Sequence, residues 1–183
     1  MHARKSPRPR KPLNGERMNE LALFYLGKFA TTRSKLSSYL NRKVRERGWD
    51  GEDEPQIEAL VERLAASGLI DDSLYAQSKA RSLTERGYGA GRVRQSLRAA
   101  GIEEADGEAA HEIAAQGAAD AALRFARRRR IGPYAAELPD RAGREKALAA
   151  MVRAGHAFEL AREVVNAQPG SEIDPNDLRD KCR

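Results

Sequence analysis

Acid–base or metal chemistry in this chain would have to begin with three histidines, His2, His111 and His156, or with the adjacent acids Asp71-Asp72. No histidine has a cysteine or carboxylate partner at metal-ligand spacing. His111-Glu112 lacks the second histidine of a zinc-protease helix. Asp71-Asp72 stand at the start of an amphipathic pattern, where a carboxylate accepts from free backbone N–H groups and answers the positive end of the helix dipole. They read as a cap, not as an acid–base pair. The run Gly87-Tyr88-Gly89-Ala90-Gly91 superficially resembles a phosphate loop, but a helical pattern precedes it where a strand is required. It reads as a joint between helices. The pattern predicts no catalytic, metal or cofactor-binding residue, and so no enzyme.

The cations are more telling. Lys79, Arg81, Arg86, Arg92, Arg94 and Arg98 crowd one segment, and Arg127-Arg128-Arg129-Arg130 is the densest basic run outside the N-terminus. Arg94 and Arg98, four apart, share a helix face. Four consecutive arginines go around a full turn, so a single partner cannot meet them all. Two readings stay open: a solvated helix end favoured by the dipole, or a contact to phosphate or acidic protein. Lys79, Arg81, Arg86, Arg92, Arg94, Arg98, Arg127, Arg128 and Arg130 are the candidate partner or DNA contacts.

These residues need helices to carry them. Met18, Leu21, Ala22, Tyr25, Leu26 and Phe29 form one helical stripe, and Leu36, Tyr39, Leu40 and Val44 another, with Thr31-Thr32 as caps between them. Ile57, Leu60, Val61, Leu64 and Ala65 form a third. Gly68 fits the left-handed position after it, with Leu69 as the following apolar contact. With Asp71 as cap of the next helix, Ile70 and Tyr75 take the staple positions. That helix turns Ala76, Ala80 and Leu83 inward. The following one carries Val93, Leu97 and Ala100 and stops at Gly101.

The plan recurs. Val93, Leu97 and Gly101 echo Ala147, Met151 and Gly155, and the first two also echo Leu36 and Leu40, at spacings of 57 and 54 residues. A repeat of that length predicts an all-α fold of tandem three-helix units in an elongated, curved array. The expected organisation is a disordered basic arm over 1–17, an incomplete helical unit over 18–47 and an acidic linker over 48–55. A central three-helix repeat over 56–102, a third repeat with a closing helix over 103–167 and a flexible tail over 168–183 complete it.

Composition fits an array better than one thick core. Of 183 residues, 40% are hydrophobic, 5% aromatic and 33% charged. No apolar run is long enough to span a membrane, and the N-terminus lacks the apolar stretch of a secretory signal. The single cysteine, Cys182, excludes an internal disulfide, and a cytoplasmic monomer is the default expectation. The net charge of +6 is uneven: Arg4, Lys5, Arg8, Arg10, Lys11 and Arg17 oppose only Glu16 up to residue 17, so the body is close to neutral. The arm is either a solubilising leader or a flexible source of non-specific phosphate contacts.

The segment GLIDDSLYAQSKARSLTERGYGAGRVRQSLRAAGI resembles the RecX family, bacterial regulators of the RecA recombinase. The likeness lies in Leu69 to Asp72 (Leu-Ile-Asp-Asp), in Tyr75-Ala76, and in the Arg-Gly-x-Gly joint from Arg86 to Gly89. It continues in the helix from Arg92 to Ile102 that ends in Gly-Ile. The flanks ALFYLGKFATTRSKLSSYL and REKALAAMVRAGHAFELAREVV resemble the family's opening and closing helices, so the likeness runs from about Asn19 to Asn166. There are two departures. A charged stretch from Arg42 to Pro55 is inserted, and Gly155-His156-Ala157-Phe158 stands where the family commonly has Gly-Phe-Ser-Tyr. The resemblance implies tandem three-helix repeats without catalytic activity. It also implies binding to the RecA filament and to single- or double-stranded DNA without sequence preference. Inhibition of ATP hydrolysis, strand exchange and filament growth would follow, with a place in DNA repair, homologous recombination and the SOS response. The alternative is a stand-alone helical nucleic-acid-binding protein that uses the basic arm and the arginine-rich helices.

Overall fold

A computed structural model describes residues 11–181, and among these the fold is all-helical. Its helices are α1 (Gly15–Leu26), α2 (Arg33–Arg47), α3 (Ile57–Ala66), α4 (Asp72–Glu85), α5 (Ala90–Ala99), α6 (Glu104–Gln116), α7 (Ala118–Arg129), α8 (Arg141–Arg153), α9 (Phe158–Asn166) and α10 (Pro175–Lys181). A 3-10 turn, Gly132–Tyr134, lies between α7 and α8. The chain divides between Asp71 and Asp72 into two compact units.

In the first unit, α1, α2 and α3 close on one aliphatic core. Met18 and Ala22 meet Leu36 and Leu40 from α2 and Ile57, Leu60, Val61 and Leu64 from α3. Asn14 and Thr32 cap α1 and α2 by accepting from the backbone N–H groups of Arg17 and Lys35. Tyr25 stacks on Tyr39 with ring centroids 4.2 Å apart.

Three expectations need correction in this unit. The first is the extent of the arm over 1–17. Residues 1–10 lie outside the described residues. Leu13 is fully buried and exchanges hydrogen bonds with Gly48 and Asp50, and α1 already begins at Gly15. A leucine deprived of water holds this segment in place. The second is the linker over 48–55, which is pinned rather than free. Trp49 packs against the core and its indole N–H donates to the Asp53 carbonyl at 2.5 Å. The third is the first stripe, which stops at Leu26. Gly27 ends the helix and leaves Phe29 exposed.

The repeat frame also differs from the one expected. The apolar face of α3 is spent on α1 and α2, so the first unit is complete and the segment 56–102 is not one packed repeat. Self-similarity gives the length of a repeat but not its starting residue. The spacings of 57 and 54 fall on α2, α5 and α8, the middle helix of each set of three.

The second unit holds two cores. Ala76, Ala80 and Leu83 of α4, Val93 and Leu97 of α5, and Ala110 and Ala114 of α6 form one. Alanine at the contact lets α4 and α6 pair closely, and this is the most extensive helix pairing in the unit. α7, α8 and α9 form the other around Phe125, Met151, Leu160 and Val164. The expected loose tail over 168–183 contains α10, whose Leu178 is 4% exposed and packs into this core. One buried leucine contributes about 1.5–3 kcal/mol, enough to seat a short helix. Leu69, expected as an apolar cap contact, is 53% exposed, and Ile70 is buried instead.

Candidate functional site

The helix ends in the basic segment share one device. After α3, Gly68 has φ +76 and its N–H donates to Ala65, while the N–H of Leu69 donates to Leu64. This paired left-handed closure satisfies carbonyls that the helix leaves free. α5 ends the same way at Gly101 and Ile102, and α4 at Gly87 and Tyr88. Gly68 and Gly101 thus hold the structural places expected of them. α4 begins at Asp72, which leaves Asp71 in the cap position and places Asp72, buried, in the first turn.

The turn at Gly87 creates the site. It swings the chain from α4 into α5, so that Lys79 and Arg86 from one side face Arg92, Gln95 and Ser96 from the other. Together with Leu83 and Tyr88 they line an open groove of about 410 Å³. The Arg86 guanidinium lies 5.7 Å from the centre of the Tyr88 ring. Arg92 donates to Gln95 at 2.6 Å. Among the described residues, Lys79, Arg86 and Arg92 form no ion pair. Three cations without ion-pair partners in one groove can take phosphate oxygens or carboxylates, and the Arg86 guanidinium over the Tyr88 ring is itself a planar surface for stacking.

The joint is held rigidly from behind. The N–H groups of Gly89 and Gly91 donate to the carbonyls of Ala154 and Gly155 at 3.0 and 2.9 Å. A Cβ on Gly89 would lie 2.3 Å from the Gly155 oxygen, so only glycine permits this approach. His156, next along, is 5% exposed and packs edge-on against Phe125 at 5.4 Å. Burial pushes its imidazole down from the ordinary 6.5 to about 4, opposed by the Gly87 backbone. Neither ring nitrogen makes a hydrogen bond of ordinary geometry. His156 is therefore neutral, part of the packing behind the groove.

The remaining candidates are dispersed. Arg81 donates to Gln77 within α4. Arg94 and Arg98 line a second, smaller cleft together with Glu103, Glu104 and His111, so carboxylates share its wall with the cations. The arginine run is split in function. Arg128 donates to the Arg86 carbonyl at 2.6 Å and lies over the Phe125 ring, which makes it an internal tether rather than an open contact. Arg127 is exposed in the last turn of α7. Arg130, just past the helix, has φ 55. Sequence reasoning passed over Tyr88, Gln95, Ser96 and the Gly89–Gly155 contact. The only signal for that contact was a Gly-x-Gly joint with a second glycine far downstream. Among the described residues no histidine, cysteine or carboxylate group clusters as a metal site, and no helix is long and apolar enough to cross a membrane.

Comparison with known proteins places this groove in a family frame. The model of the RecX second three-helix domain matches residues 71–110, the segment that contains α4, α5 and the groove between them. The regulatory protein RecX of Myxococcus xanthus (strain DK1622) is 35% identical over 173 residues, covering 88% of this chain and 90% of that one. The regulatory protein RecX of Agrobacterium fabrum (strain C58 / ATCC 33970) is 30% identical over 148 residues, covering 79% of each. A crystal structure of regulatory protein RecX aligns at TM-score 0.59 and 27% identity over 82% of this chain and 70% of that chain. The crystal structure of RecX from Lactobacillus salivarius aligns at TM-score 0.60 over 82% of this chain and 93% of that chain; at 20% identity it bears on the fold alone. Relatives at 30% identity or more, covered over 79–90% of their own length, establish that the chain belongs to the RecX family of regulatory proteins.

Proposed function

We propose that this protein binds the RecA filament on DNA and lowers its ATP hydrolysis, strand exchange and extension. The family membership supports RecA as the target. The observation that carries the reading to particular residues is the α4–α5 groove, which Lys79, Arg86 and Arg92 line together with Tyr88 without ion-pair partners. Phosphates of filament DNA, or carboxylates on the protein coat of the filament, would supply the missing counter-charge. The work is binding rather than chemistry: contacts with several filament subunits act as one multivalent site and hold neighbouring subunits in a state less able to turn over ATP. Arg128 serves this reading from within, by fixing the backbone of Arg86.

The experiment is RecA ATPase on single-stranded DNA with increasing amounts of this protein. Inhibition is expected at or below equimolar protein. The Arg86→Ala/Arg92→Ala double variant keeps the Arg86 carbonyl and should fold normally, yet need about tenfold more protein for the same inhibition. Unchanged ATP hydrolysis with wild-type protein equimolar to the cognate RecA would overturn the reading. Tight binding to bare DNA in the same experiment would then favour the stand-alone nucleic-acid binder.

A further inference from the structure

Helices α3, α4, α5 and α8 all end in the left-handed turn, and each places glycine there: Gly68, Gly87, Gly101 and Gly155. α7 ends with the same pair of backbone bonds, Arg130 to Arg127 at 3.3 Å and Ile131 to Ala126 at 2.9 Å. Here the residue is Arg130, the only non-glycine with positive φ among the described residues. An arginine in this conformation carries backbone strain that a glycine avoids, and retained strain points to a use for the side chain.

Its surroundings indicate the use. Arg129, Arg130 and Lys146 stand around an open hollow of about 400 Å³. Ile131, Ala147, Ala150 and Val165 supply an aliphatic floor, and Glu137 is the one carboxylate at its edge. Among the described residues the three cations form no ion pair; Arg129 lies over the Phe125 ring at 5.8 Å, a contact that leaves its charge unneutralised. The hollow shares no residue with the α4–α5 groove.

We propose that this hollow docks an acidic, extended segment of a partner protein, with carboxylates on Arg129, Arg130 and Lys146 and one aliphatic side chain on the floor. Planar guanidinium groups match carboxylates two bonds at a time. The aliphatic floor gives an apolar side chain somewhere to leave water. A nucleic-acid strand would gain little here. Its one aliphatic group is the thymine methyl, far smaller than a leucine side chain, and no aromatic residue lines the hollow on which a base could stack. The α4–α5 groove, with Tyr88 at its side, is the contrasting case.

The test uses the full chain and a short fluorescent peptide of Glu and Asp with one central Leu. A sister peptide has Ser in place of the Leu, and a deoxythymidine oligonucleotide serves as the nucleic-acid probe. Saturable binding of the Leu peptide is expected, with several-fold weaker binding of the Ser peptide. Arg130→Gly should weaken the Leu peptide about tenfold while the protein melts at or above the wild-type temperature. Oligonucleotide binding should be unchanged. Lys146→Gln, which removes a cation without touching the turn, should weaken the peptide in the same direction. The proposal fails if wild-type protein does not bind the Leu peptide saturably, if the two peptides bind equally, or if Arg130→Gly and Lys146→Gln leave peptide affinity intact. It fails equally if these substitutions reduce oligonucleotide binding and spare the peptide, because the hollow is then a nucleic-acid contact. RecA inhibition depends on Arg86 and Arg92 and is read separately, so either reading can fall without the other.

Discussion

Two turns in the second unit end their helices with the same pair of backbone bonds and face opposite surroundings. After α8, Gly155 turns directly into the Gly89–Gly91 backbone, and a Cβ there would sit 2.2 Å from the Arg92 nitrogen. After α7, Arg130 makes the same turn with its side chain open to solvent. The left-handed conformation alone does not demand glycine. Backbone meeting backbone does, and the groove-forming joint is where that happens. Rigidity is thus concentrated behind Arg86, Tyr88 and Arg92, while the end of α7 is free to carry a charged side chain.

The largest expected effect breaks the first of these turns. Gly155→Ala adds both a Cβ clash with Arg92 and left-handed strain at φ +93. The nearest atom, the Arg92 nitrogen, is main chain and cannot yield as the tip of a flexible side chain would. The loss should be on the order of 3 kcal/mol or more, by urea denaturation, and Arg92 should leave its place in the groove. A loss below about 1 kcal/mol would mean that the α8 turn is no tighter than the α7 turn, and the comparison would collapse.

The next effect comes from His156, which fills the same joint. Its folded pKa of about 4 lies below the ordinary 6.5, so the fold favours the neutral ring. The unfolded chain binds more protons between those values, and stability is lost as pH falls through that window. Above 6.5 both states are neutral and this penalty is absent. At its acid limit the loss is on the order of 3 kcal/mol. Carboxylates titrate in the same range, so the measurement is a difference: denaturation midpoints at several pH values for wild type and His156→Phe. The variant keeps an aromatic ring against Phe125 without a group that titrates, and should have the shallower acid decline. Identical pH dependence in the two proteins would show that His156 is not the group that burial penalises.

What could be read from the sequence was local. Period and cap gave α2, α3 and α5 because Thr32, Gly68 and Gly101 act within a turn of where they stand. The pinned ends were invisible for the opposite reason. Leu13 and Leu178 are single apolar residues in polar, proline-bearing stretches, and only a distant core makes them structural. The repeat frame was lost because α3 could complete either neighbour, and its stripe does not say which. At the site, the cations stood out by composition alone. Their division into Lys79, Arg86 and Arg92 in one groove, Arg94 and Arg98 beside carboxylates, and Arg128 as a tether depends on helix ends meeting across long stretches of chain. Asp71 precedes the first residue of α4 and Asp72 lies buried in its first turn, so the pair stands at the helix start where the sequence pattern put it.

The smallest effect sharpens the comparison at its open end. Gly68 has φ +76, and a Cβ there would meet nothing within 4 Å. Gly68→Ala should therefore cost only left-handed strain, about 1–2 kcal/mol, offset by about 0.4–1 kcal/mol from the stiffer unfolded chain. A net loss of about 0.5–1 kcal/mol follows. Arg130→Gly runs the same exchange backwards. It relieves the strain and loosens the unfolded chain, and so should be neutral or gain up to about 1 kcal/mol. The check is one series of urea midpoints with unchanged slopes for both variants. Opposite signs at similar size would establish that these two turns differ only in which side chain they display. A clear loss in Arg130→Gly would instead give the Arg130 side chain a stabilising role within the fold, and the freedom ascribed to the end of α7 would be wrong.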